Sequence, residues 1–297
     1  MCPSRRRFLQ GLAAAAAVPA LPVAAKPLAA AAKRSATDWV TLGSTGVKVT
    51  RLAFGTGTFG GRVQRELGQP AFTRLVRHAY DRGIRFFETA DNYDQMHEML
   101  AEALRGIPRD SYRLMTKMRW RDAEKPFETI DRFRKETNSE YFDILLIHNV
   151  TSPKWPEELE RLRDSLSEAK QKKIIMSHGA SCHGLLPLRR FPETKWLDVT
   201  LNRVNHKGTK MDNLTNAGND PGDVSEVVGH LKNIRRQGSG MLGMKIMGEG
   251  QFITPEDRDR SVKFVVQSGL VDAMTIGFKS PAEIDEAIER INTHLNA

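Results

Sequence analysis

The chain has 297 residues, 27% of them charged and 40% hydrophobic, which suits one large globular domain and excludes a fibrous or low-complexity chain. Its net charge of +9 is concentrated at the start, where residues 1–36 hold six basic side chains (Arg5, Arg6, Arg7, Lys26, Lys33, Arg34) and no acidic one. The remainder carries 39 basic against 36 acidic residues, so no basic face is indicated for a nucleic-acid partner.

The first element is the start itself. Ser4-Arg5-Arg6-Arg7-Phe8-Leu9 precedes an alanine-rich apolar stretch over 12–25 that ends in Val23-Ala24-Ala25. A basic segment, an apolar block and small residues make an export signal, with a disordered basic tail as the alternative. The paired arginines before Phe-Leu resemble the twin-arginine signal, an address for proteins exported already folded. That resemblance implies a periplasmic protein that meets the membrane only through the export machinery. Residues 1–36 are assigned to a disordered leader and 37–297 to the folded domain. Beyond the leader no apolar run reaches the roughly 18 residues that span a bilayer. Of two cysteines, only Cys182 lies in that domain, so no disulfide framework forms.

From residue 39, short β-branched runs alternate with longer amphipathic ones. Strands are predicted at 47–54, 84–88, 113–117, 142–148, 174–178, 197–201, 240–244 and 272–276. Helices are predicted at 71–82, 96–105, 127–137, 153–170, 224–236, 255–268 and 281–295. Gly83, Gly179, Gly208, Gly269 and Gly277 sit at the joints. Strands that alternate with helices imply a parallel sheet. Eight such units predict a (β/α)8 TIM barrel, with an open doubly wound sheet as the alternative. The turn GTGTFGG (residues 55–61) resembles a glycine-rich phosphate loop, yet no acidic residue is placed for a ribose.

In a parallel barrel the working residues lie at the carboxyl ends of strands. Here those ends carry Glu88, Lys117 and His148, with Tyr93 five residues past Glu88. A free phenol titrates near pH 10, and a nearby ammonium lowers that value. Glu88 keeps a buried Lys117 charged, and His148 can hydrogen-bond a carbonyl oxygen. Taken singly, a strand-end lysine is usually a rim charge and a lone histidine a core residue. Four such groups at consecutive strand ends point to a site.

GIRFFETADNY (83–93), the LMTK segment ending at Lys117 and YFDILLIH ending at His148 resemble the three catalytic blocks of the aldo-keto reductases. LGSTGVKVTRLAFGTGTFG (42–60) resembles that family's amino-terminal β-hairpin, which plugs the barrel, followed by its first strand. The resemblance implies a carbonyl reductase with Tyr93 as general acid, Lys117 and Glu88 as its tuning pair, and His148 orienting a small carbonyl substrate. It also implies a nicotinamide cofactor, held by Ser181, Cys182, Asn202, Met244, Lys245, Gly248, Gly277, Lys279, Ser280 and Glu283.

The sequence departs from the family at several of these positions. Glu88 replaces an aspartate, and Asp94 the glycine after the tyrosine. Cys182 and Asn202 stand where an asparagine and a glutamine hold the carboxamide, and Met244 where an aromatic stacks. Lys279 and Ser280 match positions that hold the 2′-phosphate of NADPH, whereas Glu283 replaces a clamping arginine and suits a free ribose hydroxyl. NADP(H) is thus favoured slightly over NAD(H). The altered cradle motivates a second reading, a non-catalytic nucleotide-binding barrel. His148, His178, Cys182, His183 and His206 motivate a third, a metal-dependent hydrolase. Lys117 as a Schiff-base residue is a fourth. Connections after the third and sixth strands read as short, which predicts an open mouth.

Overall fold

The computed structural model describes residues 33–119, 124–215 and 220–297. Most of the leader, residues 1–32, lies outside the described residues. Arg34–Ala297 is one folding unit, and it includes residues assigned above to the leader. Arg34 N donates to Asn296 Oδ1 at 2.9 Å, Ala36 N donates to Asn292 Oδ1 at 2.7 Å, and Ala36 is fully buried.

The 47–54 run divides at Arg51. Strands β1 (Trp39–Thr41) and β2 (Lys48–Thr50) form an antiparallel hairpin with Val40 opposite Val49. Strand β3 (Leu52–Gly55) then opens the barrel. Gly43 adopts φ 47, and a Cβ there would collide with the carbonyl of Gly238, so the hairpin turn can lie flat on the barrel floor.

The remaining strands are β4 (Phe86–Glu88), β5 (Arg113–Arg119), β6 (Phe142–Val150), β7 (Ile175–Cys182), β8 (Val199–Arg203), β9 (Gly240–Met244) and β10 (Ala273–Gly277). All pair in parallel in the order β10-β3-β4-β5-β6-β7-β8-β9, and β10 closes the ring by pairing with both β3 and β9. Gly55, Gly57 and Gly60 keep the spacing of a dinucleotide turn, but this ladder closes on itself and leaves no open-sheet crevice.

One buried layer fills the cylinder: Ala53, Phe86, Met115, Ile144, Leu146, Val199, Leu201, Leu242 and Ala273, with Leu42 and Val49 of the hairpin region packed against it. Strand side chains repeat with period two, so the residue two further on shares each face. From seven of those inner residues that step reaches Gly55, Glu88, Lys117, His148, Arg203, Met244 and Thr275. The inner layer thus projects one ring of side chains toward the carboxyl-terminal mouth.

The opposite strand faces pack under helices α2 (Gly68–Asp81), α3 (Met96–Leu104), α4 (Pro126–Glu136), α6 (Glu160–Gln171), α8 (Val224–Arg236), α9 (Pro255–Ser268) and α10 (Pro281–Leu295). Short turns α1 (Arg62–Arg65), α5 (Trp155–Glu158) and α7 (Leu185–Leu188) lie on mouth loops. Helices α9 and α10 start alike, with Thr254 and Ser280 as N-caps and proline at the first position. Among the described residues no helix is long and apolar enough to cross a membrane.

The connection after β8 is not short. It runs over residues 204–223 and buries Val204, Asn205, Met211 and Asp212. Sequence hid this because the loop is polar and lacks a regular period.

Leu42 lies wholly within the inner layer at the barrel floor. Leu42→Ala should cost about 2–5 kcal/mol through lost burial and the cavity left behind. Equilibrium urea unfolding would test this; a cost below about 1 kcal/mol would mean the plug is not part of the core.

Candidate active site

Lys117 is 1% exposed and Glu88 4%, at the ends of neighbouring strands β5 and β4. The ammonium donates to Glu88 Oε1, to the carbonyl of Thr89 at 2.7 Å and to Tyr93 Oη at 3.3 Å. These three acceptors match its three N–H groups. Glu88 Oε2 accepts from Thr275 Oγ1 at 3.2 Å on β10. The extra methylene of glutamate is accommodated by that hydroxyl and by Gly55, where a Cβ would stand 3.0 Å from Oε2.

Lysine only donates, so Tyr93 Oη is the acceptor in this pair and its own hydrogen is free to point elsewhere. The ring edge lies tight against Gly57, where a Cβ would come within 2.6 Å of Oη. Sequence reasoning expected the ammonium to lower the phenol's pKa. Instead burial, reinforced by the carboxylates of Glu88 and Glu249, pushes it well above the ordinary value. The charge of Lys117 is directed chiefly at Glu88, which it contacts more closely. Tyr93 is therefore a neutral hydrogen-bond donor at rest.

His148 is 5% exposed and meets the Tyr93 ring edge-on, with centroids 5.6 Å apart at 86°. Burial keeps its pKa well below the usual value, and Lys117, Arg119 and Lys245 push the same way. It is a neutral imidazole whose Nδ1 is enclosed without a partner. The loop that carries Tyr93 is pinned to β5 by Thr89 N donating to Met115 O and Asp91 N to Lys117 O. Arg132 holds the Asp91 carboxylate at 2.8 Å.

Above this buried tier lies a partly exposed one: Tyr93, His183, Arg203, Met244, Lys245 and Glu249. Lys245 pairs with Glu249, and both take left-handed backbone, as does Asn149 beside His148. Non-glycine residues in that region carry strain, which tends to persist at functional sites. Arg203 donates to His183 Nδ1 and lies 3.5 Å from Asp212. Asp212 also accepts from Gly184 N at 2.8 Å. Sequence reasoning missed Arg203, Asp212, Glu249 and Thr275, and weighed His183 only as a metal ligand.

Other expected residues are distributed differently. Ser181 is fully buried, and its Oγ accepts from Asn149 N at 2.9 Å, leaving the hydroxyl hydrogen free. Cys182 packs in the helix-facing layer with Sγ 3.1 Å from Gly184 O, and burial raises its thiol pKa. Asn202 also faces that layer, where Nδ2 donates to Thr200 Oγ1 at 2.8 Å. The structure does not bring Cys182 and Asn202 to the mouth, because period-two alternation gives that face to Ser181 and Arg203. Met244 and Lys245 do reach it, and Gly248 turns the following loop with φ 56.

Gly277, Lys279, Ser280 and Glu283 form the β10–α10 junction. Ser280 Oγ accepts from Glu283 N as the N-cap of α10, and Glu283 Oε2 reaches back to accept from Lys279 N at 2.8 Å, one residue before the cap. The residues considered as metal ligands are spread: His178 stacks on Trp196 at 4.3 Å and Cys182 faces outward. Among the described residues no group of three or more His, Cys, Asp or Glu side chains is placed to hold a metal ion.

Residues 51–248 match the sequence model of the aldo/keto reductase family, and residues 2–22 that of the twin-arginine translocation pathway signal sequence. The chain is 29% identical over 159 residues to a Glycine max protein named "Probable aldo-keto reductase 1", a match covering 48% of this chain and 45% of that one. It is 31% identical over 119 residues to L-galactose dehydrogenase of Arabidopsis thaliana, covering 37% of each. The matches span less than half the length of these curated relatives. Among solved structures, the holo form of an aldo-keto reductase from Bacillus halodurans superposes with TM-score 0.69 at 14% identity, covering 87% of this chain and 95% of that one. An aldo-keto reductase from Klebsiella pneumoniae in complex with NADPH gives 0.64 at 14% identity, covering 88% and 90%. At such identities the likeness concerns the fold.

Burial raises the Asp212 pKa from an ordinary 3.8 to about 6, against the pull of Arg203. The folded state then holds this proton more tightly than the unfolded state between those values, so its contribution to stability is lost as pH rises through about 6. Asp212→Asn should match the parent in urea unfolding below pH 4 and exceed it at pH 7 by on the order of 1–3 kcal/mol. Equal stability at pH 7 would show that Arg203 already offsets the burial.

Proposed function

The chain belongs to the aldo/keto reductase family, and on that footing we propose that it reduces an aldehyde or ketone to an alcohol with a nicotinamide nucleotide. The observation that carries this reading is the buried Lys117–Glu88 pair with Tyr93 Oη 3.3 Å from the ammonium. The bound nucleotide supplies a hydride to the carbonyl carbon; everything else falls to the protein.

A carbonyl oxygen placed against Tyr93 Oη and the neutral His148 receives two hydrogen bonds in a water-poor site. Negative charge then grows on that oxygen, and Tyr93 releases its proton to it. Its raised resting pKa favours release only once that charge develops. The phenolate left behind faces the ammonium of Lys117, which is held charged by Glu88. The pair thus acts on the deprotonated form rather than at rest.

The residues at the mouth suit a nicotinamide ring. Ser181 has a buried hydroxyl with a free hydrogen for a carboxamide, Met244 offers an apolar face, and Lys279 with Ser280 lies at a helix start suited to a phosphate. Glu283 is tied into the cap there, which limits preference for a 2′-phosphate. We take NADP(H) as slightly favoured. A folded-export route also suggests a periplasmic enzyme, with residues up to about 33 as its leader, that carries its nucleotide out already bound. The outward-facing Cys182 and Asn202 favour a second reading, a barrel that binds nucleotide without turnover.

Tyr93→Phe should lower kcat for simple aldehydes by about 10²–10⁴ while fluorescence titration finds nucleotide affinity little changed. Retained turnover would remove Tyr93 from the mechanism; tight nucleotide binding by the parent protein without any turnover would favour the second reading. Affinities for NADPH and NADH should differ by less than about a hundredfold. Native mass spectrometry of periplasmic protein should find a bound nucleotide, and an apo protein with no affinity for one would refute the carried-cofactor idea.

A further inference from the structure

We propose that Arg203, set between His183 and Asp212 at the mouth, forms an anion subsite that takes the carboxylate of an oxo-acid substrate. The proposal names a substrate class for the reductase reading and rests on it.

Position and hydrogen bonding both single out Arg203. It continues the inner row Val199, Leu201 of β8, so its side chain rises from the barrel interior into the partly exposed tier rather than toward the helices. Its donors are incompletely used: one terminal nitrogen meets His183 Nδ1, the other lies 3.5 Å from Asp212, and Nε is enclosed with no partner. Each terminal nitrogen carries a second N–H beyond the one turned to His183 or Asp212, so the outer edge of the guanidinium keeps donors for a ligand.

Charge balance leads to the same place. Lys117 is matched by Glu88 and Lys245 by Glu249. Arg203 has only Asp212, whose Oδ1 is shared with Gly184 N and whose Oδ2 lacks a partner. His183 adds no negative charge; burial and Arg203 hold it neutral. The guanidinium therefore has spare donors and only a loose ion pair at 3.5 Å, and its planar fork matches a carboxylate.

The span fits a small molecule. The rings of Tyr93 and His148 lie 5.6 Å apart and those of His148 and His183 6.4 Å apart, and Arg203 bonds directly to His183. A short aliphatic chain runs from the carbonyl at Tyr93 to Arg203, past Met244.

The test compares 4-oxobutanoate with butanal, and 5-oxopentanoate with pentanal, in the full chain loaded with nucleotide. The expected kcat/KM ratio favours the acid by about 10–100-fold, and Arg203→Met should bring it to within about threefold. Because Arg203→Met strands Asp212, the double variant Arg203→Met/Asp212→Asn repeats the measurement in a charge-balanced background. An equal ratio in the parent protein, or a preference untouched by either variant, overturns the proposal. Calorimetric titration with glutarate separates it from the reductase reading. If no aldehyde is turned over yet glutarate binds and loses about tenfold or more in the variants, the subsite stands and the activity falls. If neutral aldehydes are reduced and glutarate does not bind, the activity stands and the subsite falls.

Discussion

A single buried ammonium organises this molecule's chemistry. An ion such as Lys117 is tolerated in a protein interior only when its partners nearly surround it, since several kcal/mol of hydration are otherwise lost. Glu88, the carbonyl of Thr89 and Tyr93 Oη meet that demand. They come from one strand end and the loop that follows it, so satisfying the charge also fixes where the phenol stands. Thr275 from the far side of the ring seam fixes the carboxylate in turn. Barrel closure at β10–β3 and placement of the acid are thus parts of one requirement.

Electrostatics at the mouth is arranged for a change of state rather than for a resting charge. Tyr93 stays protonated and His148 stays neutral because the phenol oxygen and the imidazole are screened from water, and neighbouring charges reinforce this. A pre-ionised phenolate would have nothing to give. A neutral phenol beside a fixed ammonium is costly to ionise until the acceptor becomes more basic, and is then stabilised immediately.

Much of this could be read from residues. Alternating short and long runs foretold the barrel, and the strand-end rule found Glu88, Lys117 and His148 without coordinates. Tyr93 followed from its distance along the loop. Failures came where alignment to a pattern replaced geometry. Cys182 and Asn202 occupy expected positions in the chain but stand on the helix-facing side of their strands, one residue out of phase with Ser181 and Arg203. Applying period two from Leu201 would have found Arg203. The 204–223 connection has no such signal, because its buried Met211 and Asp212 depend on contacts with distant loops. The junction at Arg34–Ala36 was hidden likewise: its partners, Asn292 and Asn296, lie at the opposite end of the chain.

The Glu283–Lys279 contact at the start of α10 bears on the thermodynamics of the nucleotide entry proposed above. Glu283 already presents a carboxylate to the Lys279 amide, where a phosphate of the proposed nucleotide would settle. Docking of a phosphate there would be a swap of one oxyanion for another, not the filling of a bare donor. Swaps of this kind give a muted heat signal and release few counterions. Calorimetry and ionic-strength series would then understate the grip that the proposed site would have on the rest of a nucleotide.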